Sequence, residues 1–355
     1  MVTKRFKFEQ IIYHFNNDHS GSTIALRNRI LSENLDNYII VTLTRGGVLD
    51  SLRTQYLLSS KLTIICPLFL RLIYYWVTTS IIALIFIRRN HLFNNILSAP
   101  SMLFITFLTP YNKRHALHLH EFRVNNKWLN EIVITSLKLT RSNYIFVSEY
   151  QRQYFYRNYN LNGKVVLNVL DPIFCELSPK LGTSPYSERN RITFVGSDSE
   201  YKGLSTFIRL EKQVNLTKNI VWTIVTPKIL ENKIQEKFDV YSNPQRERLA
   251  EIYSESLVVM NLSKSNMWVE TFGMTIFEGS AFGALSITPD IGGFVNYVSK
   301  EWSFSVDTGA PVEYQLEDIQ EMLLMCLDEA IWTSRHKKML NDFCIVAELK
   351  AILGN

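Results

Sequence analysis

Two carboxylates stand eight residues apart in Val269-Glu270-Thr271-Phe272-Gly273-Met274-Thr275-Ile276-Phe277-Glu278-Gly279. Ionised carboxylates accept hydrogen bonds from hydroxyls. A glycine between them lets a phosphate approach bare backbone, and amides at a helix start attract anions. One pocket could thus hold an anionic group flanked by polyols, which describes a sugar nucleotide. The plainer alternative is a pair of solvated glutamates on an amphipathic helix.

The elements around this stretch favour a strand, a loop and a helix. Ser256-Leu257-Val258-Val259-Met260-Asn261-Leu262 reads as a buried strand, and Ile276, Phe277, Ala281 and Phe282 follow at helical spacing. Glu270 then lies in the loop, Gly273 opens the helix and Glu278 sits one to two turns inside it. Upstream, Arg191 to Ser197 reads as a strand ending in a turn, and Lys202-Gly203 leads into a helix. A lone lysine there would ordinarily be solvated. The loop Asn16 to Thr23 joins a first strand, Phe8 to Phe15, to a helix from Ile24 to about Asn34. Gly21 stands in that loop without a GxGxxG pattern, so it reads equally as an ordinary turn. His115-Ala116-Leu117-His118-Leu119-His120-Glu121 alternates, placing His118 and His120 on one strand face. Three histidines on a short strand, with no further ligand pattern, make a weak zinc signal.

The order of these pieces resembles retaining glycosyltransferases of the GT-B fold, glycosyltransferase family 4, also called glycosyl transferases group 1. The E-x7-E motif is Glu270 to Glu278, with Phe272-Gly273 between. Lys202-Gly203 matches the lysine end of G-R-x-x-x-x-K-G, while Ser197 stands at the arginine position. His120-Glu121, Phe146-Val147-Ser148-Glu149, Asp171-Pro172 and Gly292-Gly293 fall in family order, and Asn296 replaces a usual glutamate. The resemblance implies an α/β chain of two doubly wound Rossmann-like domains facing a central cleft. It implies an acceptor domain over 1–172, a donor domain over 173–333 and a last helix over 334–355 that crosses back.

The implied activity is a retaining, metal-independent hexosyl transfer from a UDP- or GDP-linked sugar, with no cofactor besides that co-substrate. The acceptor would be a glycan or lipid-linked oligosaccharide of bacterial-type surface polysaccharide synthesis. Glu278 would take the ribose hydroxyls, and Glu270 the donor sugar. Lys202 and the amides about Gly273, Met274 and Thr275 would take the diphosphate, with Phe272 alongside. His120 would touch the sugar, with His118 as the alternative, and Gly21 with Ser22 would border the phosphates and the acceptor. Lys264 is a candidate to replace the charge missing at Ser197. A sugar-nucleotide epimerase of the same fold, or a sugar- or membrane-binding protein without catalysis, are the alternatives.

At 355 residues, 46% hydrophobic and 20% charged, the chain suits two globular domains. Four scattered cysteines without CxxC fit a reducing compartment. The mostly polar stretch Met1 to Gln10 lacks a signal pattern, so residence in the cytoplasm, at the inner face of the cell membrane, is expected. Residues 1–172 carry 20 Lys+Arg against 9 Asp+Glu (+11), and residues 173–355 carry 18 against 24 (−6). No nucleic-acid motif accompanies the basic half, so an anionic membrane surface is its expected partner.

Leu62 to Ile87 is the most apolar part. It is interrupted at Pro67 and Arg71, which leaves Leu72 to Ile87 free of charge, roughly 24 Å as a helix. A membrane span takes about 20 residues, so a buried or interfacial helix is expected, with Arg88-Arg89 and Lys113-Arg114 suited to headgroups. Asn243 to Ser254 reads as an exposed charged helix. Ser178 to Asn190 reads as the linker, and the closing helices start near Leu316 and Ser334.

Overall fold

The structure, a computed structural model, describes residues 9–18, 20–58, 66–108, 115–124, 126–140, 142–214, 220–227 and 229–353, with the side chains of Lys233, Asn296 and 343–353 left out. The chain divides into two units, Met1–Val169 and Leu170–Asn355, each built on its own all-parallel sheet.

The first unit runs β1 Gln10–His14, α1 Gly21–Ser32, β2 Tyr38–Thr42, β3 Thr54–Tyr56, α2 Leu68–Ile85, β4 Asn90–Phe93, α3 Ala99–Leu108, β5 His115–Leu119, α4 Lys127–Leu139, β6 Asn143–Phe146, α5 Glu149–Tyr159 and β7 Gly163–Val165. Its seven strands lie in the order β3-β2-β1-β4-β5-β6-β7. Helices cover parallel strands on both faces, so Ile11-Ile12-Tyr13 and Ile39-Ile40-Val41 are nearly continuous apolar runs. Ile12, Leu26, Ile30, Ile40, Leu49 and Leu92 form one buried cluster. Ser148 caps α5 by accepting from the Gln151 amide, as its position before the helix predicts.

The second unit runs α6 Pro172–Leu181, β8 Arg191–Val195, α7 Leu204–Gln213, β9 Val221–Thr226, α8 Asn232–Gln235, β10 Asp239–Ser242, α9 Arg246–Ser254, β11 Ser256–Met260, α10 Met274–Ala281, β12 Leu285–Pro289, β13 Ser303–Val306, α11 Val312–Leu327 and α12 Glu329–Leu353. Its strand order is β10-β9-β8-β11-β12-β13. The order reverses between β1 and β4 in one sheet and between β8 and β11 in the other. Crevices at the carboxyl ends of strands beside such reversals are where doubly wound sheets bind ligands.

Several expectations are corrected. Gly21 and Ser22 form the first turn of α1 instead of a loop, because the helix starts at Ser20. Arg71 does not break the apolar segment; it lies in α2, which starts directly after Pro67. Strand β7 ends at Val165, and Asp171 caps α6 by accepting from the Ile173 amide at 3.0 Å. Ser178 to Asn190 is no free linker, since it lies within the second unit and holds the fully buried Arg189. That guanidinium donates to the carbonyls of Ser184, Ser256 and Phe282 at 2.9–3.0 Å. Burial pushes its pKa down to about 9. Helix α9 is not exposed throughout, because Leu249, Ile252 and Tyr253 enter the core with Phe174 and Phe282. Two closing helices start earlier than expected, at Val312 and Glu329. Trp332 of the latter is buried and donates to the Leu257 carbonyl at 3.0 Å. Lys113-Arg114, Phe8 and His19 lie outside the described residues.

Candidate functional site

The loops after β8 and β11, beside the strand-order reversal, carry the site. After β8 the chain makes a short turn, Glu200–Lys202, and reaches Gly203 at φ +81°. A Cβ there would lie 2.1 Å from the Leu262 carbonyl oxygen, so only glycine allows this turn to press against the end of β11. The Lys264 amide donates to the Tyr201 carbonyl at 2.8 Å, tying the two loops together. Lys202 then reaches Glu270, donating from Nζ to Oε1. Ser263 donates to the same oxygen at 2.8 Å. Burial pushes Glu270 up, but the Lys202 charge and the hydrogen bonds from Lys202, Ser263 and Asn261 outweigh it and hold the carboxyl below its ordinary value. Tyr201 and Trp268 rings lie 5.7 and 6.0 Å from the Lys202 ammonium.

Gly273, at φ +81°, turns the chain into α10 and leaves the helix start without a side-chain cap. The four leading amides of a helix have no partner inside it. Tyr297 Oη lies 2.6 Å from the Phe272 carbonyl and 2.9 Å from that of Gly273, and its ring packs 4.9 Å from Phe272. The Gly293 amide donates to the Glu270 carbonyl at 2.7 Å, so the Gly292-Gly293 loop braces the same turn. Met274 and Thr275 occupy the first turn of α10, half-buried.

Glu278 lies in α10 and is buried. Tyr253 donates to its Oε2 at 3.0 Å, and Arg246 Nη1 stands 3.9 Å from Oε1. Arg246 also pairs with Asp171 at 3.3 Å. Burial raises the Glu278 pKa, with Arg246 and Tyr253 opposing and Asp171 adding. Ser197 bonds Ser199 through their hydroxyls at 3.0 Å. Lys264 Nζ lies 3.3 Å from the exposed Glu200 carboxylate. Thus Lys202, Glu270, Phe272 and Gly273 come together, and Lys264 joins their loops.

The first unit assembles a second cluster at its own reversal. His14 ends β1, with Nδ1 3.1 Å from the Asn94 carbonyl and Nε2 3.0 Å from Thr23 Oγ1. His120 Nε2 lies 3.3 Å from Asn94 Oδ1, and its ring is 4.2 Å from that of His118. Both rings are buried, and neither nitrogen of His118 has a hydrogen-bond partner. Burial pushes His14 down to about 4 and His118 to about 3, and holds His120 well below its ordinary value, so these imidazoles are neutral. Burial pushes Glu121 up to about 7, opposed by the Ile96 amide and the Ser22 hydroxyl. Ser22 thus bonds the Glu121 carboxyl. Gly21 has open space where a side chain would be. Among the described residues, no group of three or more His, Cys, Asp and Glu side chains is placed to hold a metal ion.

Sequence reading missed Ser263, Tyr297, Trp268, Tyr253 and Arg246 as partners of the site. Arg246 offered one signal, as a cation in the first turn of a helix three residues before the buried Leu249.

These arrangements define a class. Two parallel-sheet α/β domains of seven and six strands make the GT-B fold, and residues 182–330 match the family glycosyl transferases group 1. That match falls within the second unit, Leu170–Asn355. Solved structures with the same fold include the Anabaena protein HepE in complex with UDP and glucose, at TM-score 0.67 and 14% identity, covering 98% of this chain and 100% of that one. Sucrose-phosphate synthase from Thermosynechococcus elongatus matches at TM-score 0.67 and 14% identity, over 98% and 99%. A glycosyltransferase from Rickettsia africae matches at TM-score 0.61 and 17% identity, over 98% and 99%. No curated protein matches the chain by sequence.

Proposed function

We propose that the chain transfers a hexosyl group from a nucleoside-diphosphate sugar to a glycan or lipid-linked oligosaccharide, with retention and without a metal. The observation that carries this reading is the Lys202–Glu270 pair beside the uncapped turn at Gly273, at the strand-order reversal of the second sheet. Glu278 Oε1 accepts from the ribose. Glu270 accepts from hydroxyls of the sugar. Lys202 and the amides of Met274 and Thr275 neutralise the diphosphate. The bond from the anomeric carbon to the phosphate oxygen breaks, and one to the acceptor oxygen forms. The acceptor's proton passes to the departing phosphate. Charge develops on that phosphate and on an oxocarbenium-like sugar, so fixed dipoles and cations supply much of the acceleration. In the first unit, neutral His120 serves a sugar hydroxyl, and Gly21 with Ser22 serve the phosphate side.

UDP is the favoured nucleotide, because the similarly folded HepE was crystallised with UDP and UDP-glucose. GDP is the alternative to test beside it. Synthesis of a surface polysaccharide such as O-antigen, capsule or lipopolysaccharide in the cytoplasm is the setting this reading fits. Ser197, in place of a cation, favours a weaker grip on the diphosphate, and with it a binding protein as the second reading. Thermal-shift screening with UDP, GDP and their sugars, followed by donor-hydrolysis and transfer assays of wild type and Glu270→Ala, tests the proposal. Donor-dependent turnover lost in the variant supports it. Nucleotide binding with no turnover supports the binding protein, and epimer formation from donor alone supports an epimerase.

A further inference from the structure

Helix α2 buries Leu72, Tyr75, Thr79, Ser80 and Ala83 on one side. That side is fastened to the unit by polar bonds: Tyr75 to Ser98 at 2.9 Å, Thr79 to Ser101 at 2.8 Å, and Trp76 Nε1 to the Leu97 carbonyl at 2.7 Å. The other side is a stripe at four-residue spacing, Phe69, Ile73, Val77, Ile81 and Ile85, all exposed. Such spacing places side chains on one helix face. Neighbouring α3 adds Phe107, 82% exposed, and Trp128 at the start of α4 packs 5.5 Å from Phe69. Isolated exposed apolar residues are ordinary, but contiguous ones mark an interaction surface.

Charge points to the occupant. No Asp or Glu occurs from Ser51 to His120, while seven Lys and Arg do, among them Arg71, Arg88 and Arg89 around α2. A second copy of this chain would bring a face of the same sign. An anionic lipid surface brings the opposite sign together with acyl chains for the stripe. The geometry points to α2 and α3 lying in the interface of an anionic membrane, with the stripe among the acyl chains and the arginines among the headgroups. Helix α2 does not cross the membrane. Its 18 residues are long and apolar enough to span one, but its inner face is bonded to the unit by the Tyr75, Trp76 and Thr79 hydrogen bonds.

The test is co-sedimentation of the full chain with phosphatidylcholine vesicles, with and without phosphatidylglycerol. Binding is expected with phosphatidylglycerol, weakening several-fold as ionic strength rises from about 0.1 M to about 1 M and the Debye length shrinks from about 10 to about 3 Å. The variant Val77→Ser/Ile81→Ser/Phe107→Ser changes exposed positions only. It should keep the circular dichroism and melting of wild type while losing about tenfold or more of vesicle partition. Equal partition of variant and wild type, or no binding to anionic vesicles at low salt, overturns the inference. So does a dimer in light scattering that the variant dissociates without lipid. The readout needs no donor, so the failure of glycosyl transfer and the failure of lipid docking are separate results.

Discussion

Lys202 and Glu270 meet across two loops that leave adjacent strands, and the lysine shares one carboxylate oxygen with the Ser263 hydroxyl. Each charge depends on the other. Lys202 keeps the half-buried carboxylate ionised, and Glu270 fixes where the ammonium points.

That dependence predicts non-additive kinetics. Glu270→Gln and Lys202→Met should each lower kcat by about 10²–10³, the usual cost of losing a preorganised group. The double variant should fall little below either single one, because the first change already disorders the second group. Steady-state transfer assays on the four proteins check this. Multiplicative losses would mean that the two residues act independently.

Glu278 should make nucleotide binding sensitive to acid at a higher pH than an ordinary glutamate would. Burial raises its pKa, and protonation removes the acceptor proposed for the ribose. UDP affinity followed by calorimetry should decline on lowering pH before the usual carboxylate range is reached. Glu278→Gln should bind about ten times more weakly near neutrality and lose that decline.

Folding stability should fall in mild acid. His14, His91, His115 and His336 are buried and pushed down to about 4, and His118 to about 3. Between about 4 and the ordinary value of 6.5 the unfolded chain binds protons that the folded chain refuses, so stability rises with pH through that window and is lost as pH falls. Glu121, pushed up to about 7, acts in the opposite direction as a single group. Urea midpoints at pH 7 and pH 5 should differ, the lower pH being weaker. His118→Gln should reduce the difference.

Arg189→Met should destabilise the second unit by about 3 kcal/mol or more, because several buried carbonyls lose their donor together. Chemical unfolding of wild type and variant measures it. An unchanged midpoint would show that water replaces the guanidinium.

Much of this was legible in the chain. Ser256–Met260 is a strand as read, because a buried parallel strand has no polar alternation to confuse it. Gly273 opening α10 was legible from the glycine before a helical apolar pattern. The pairing of Lys202 with Glu270 was not derivable from local spacing; only the motif order suggested it, since strand order decides which distant loops meet. Arg189 escaped notice because Ser187-Glu188-Arg189-Asn190 looks like solvated linker, and burial of a cation against carbonyls leaves no local signature. Helix α9 was misread for a related reason: Arg246, Glu247, Arg248 and Glu251 hide the inward Leu249, Ile252 and Tyr253.

The two glutamates are mounted differently, and this bears on how the protein could diversify. Glu278 is moored to Tyr253 on a helix built into the core, whereas Glu270 rests on a loop, its carboxylate held by Lys202, Ser263 and Asn261. With the proposed roles, substitutions in that loop would retune sugar preference over generations while leaving the nucleotide grip intact, so close kin sharing a nucleotide yet differing in the hexose they move would be the natural evolutionary outcome.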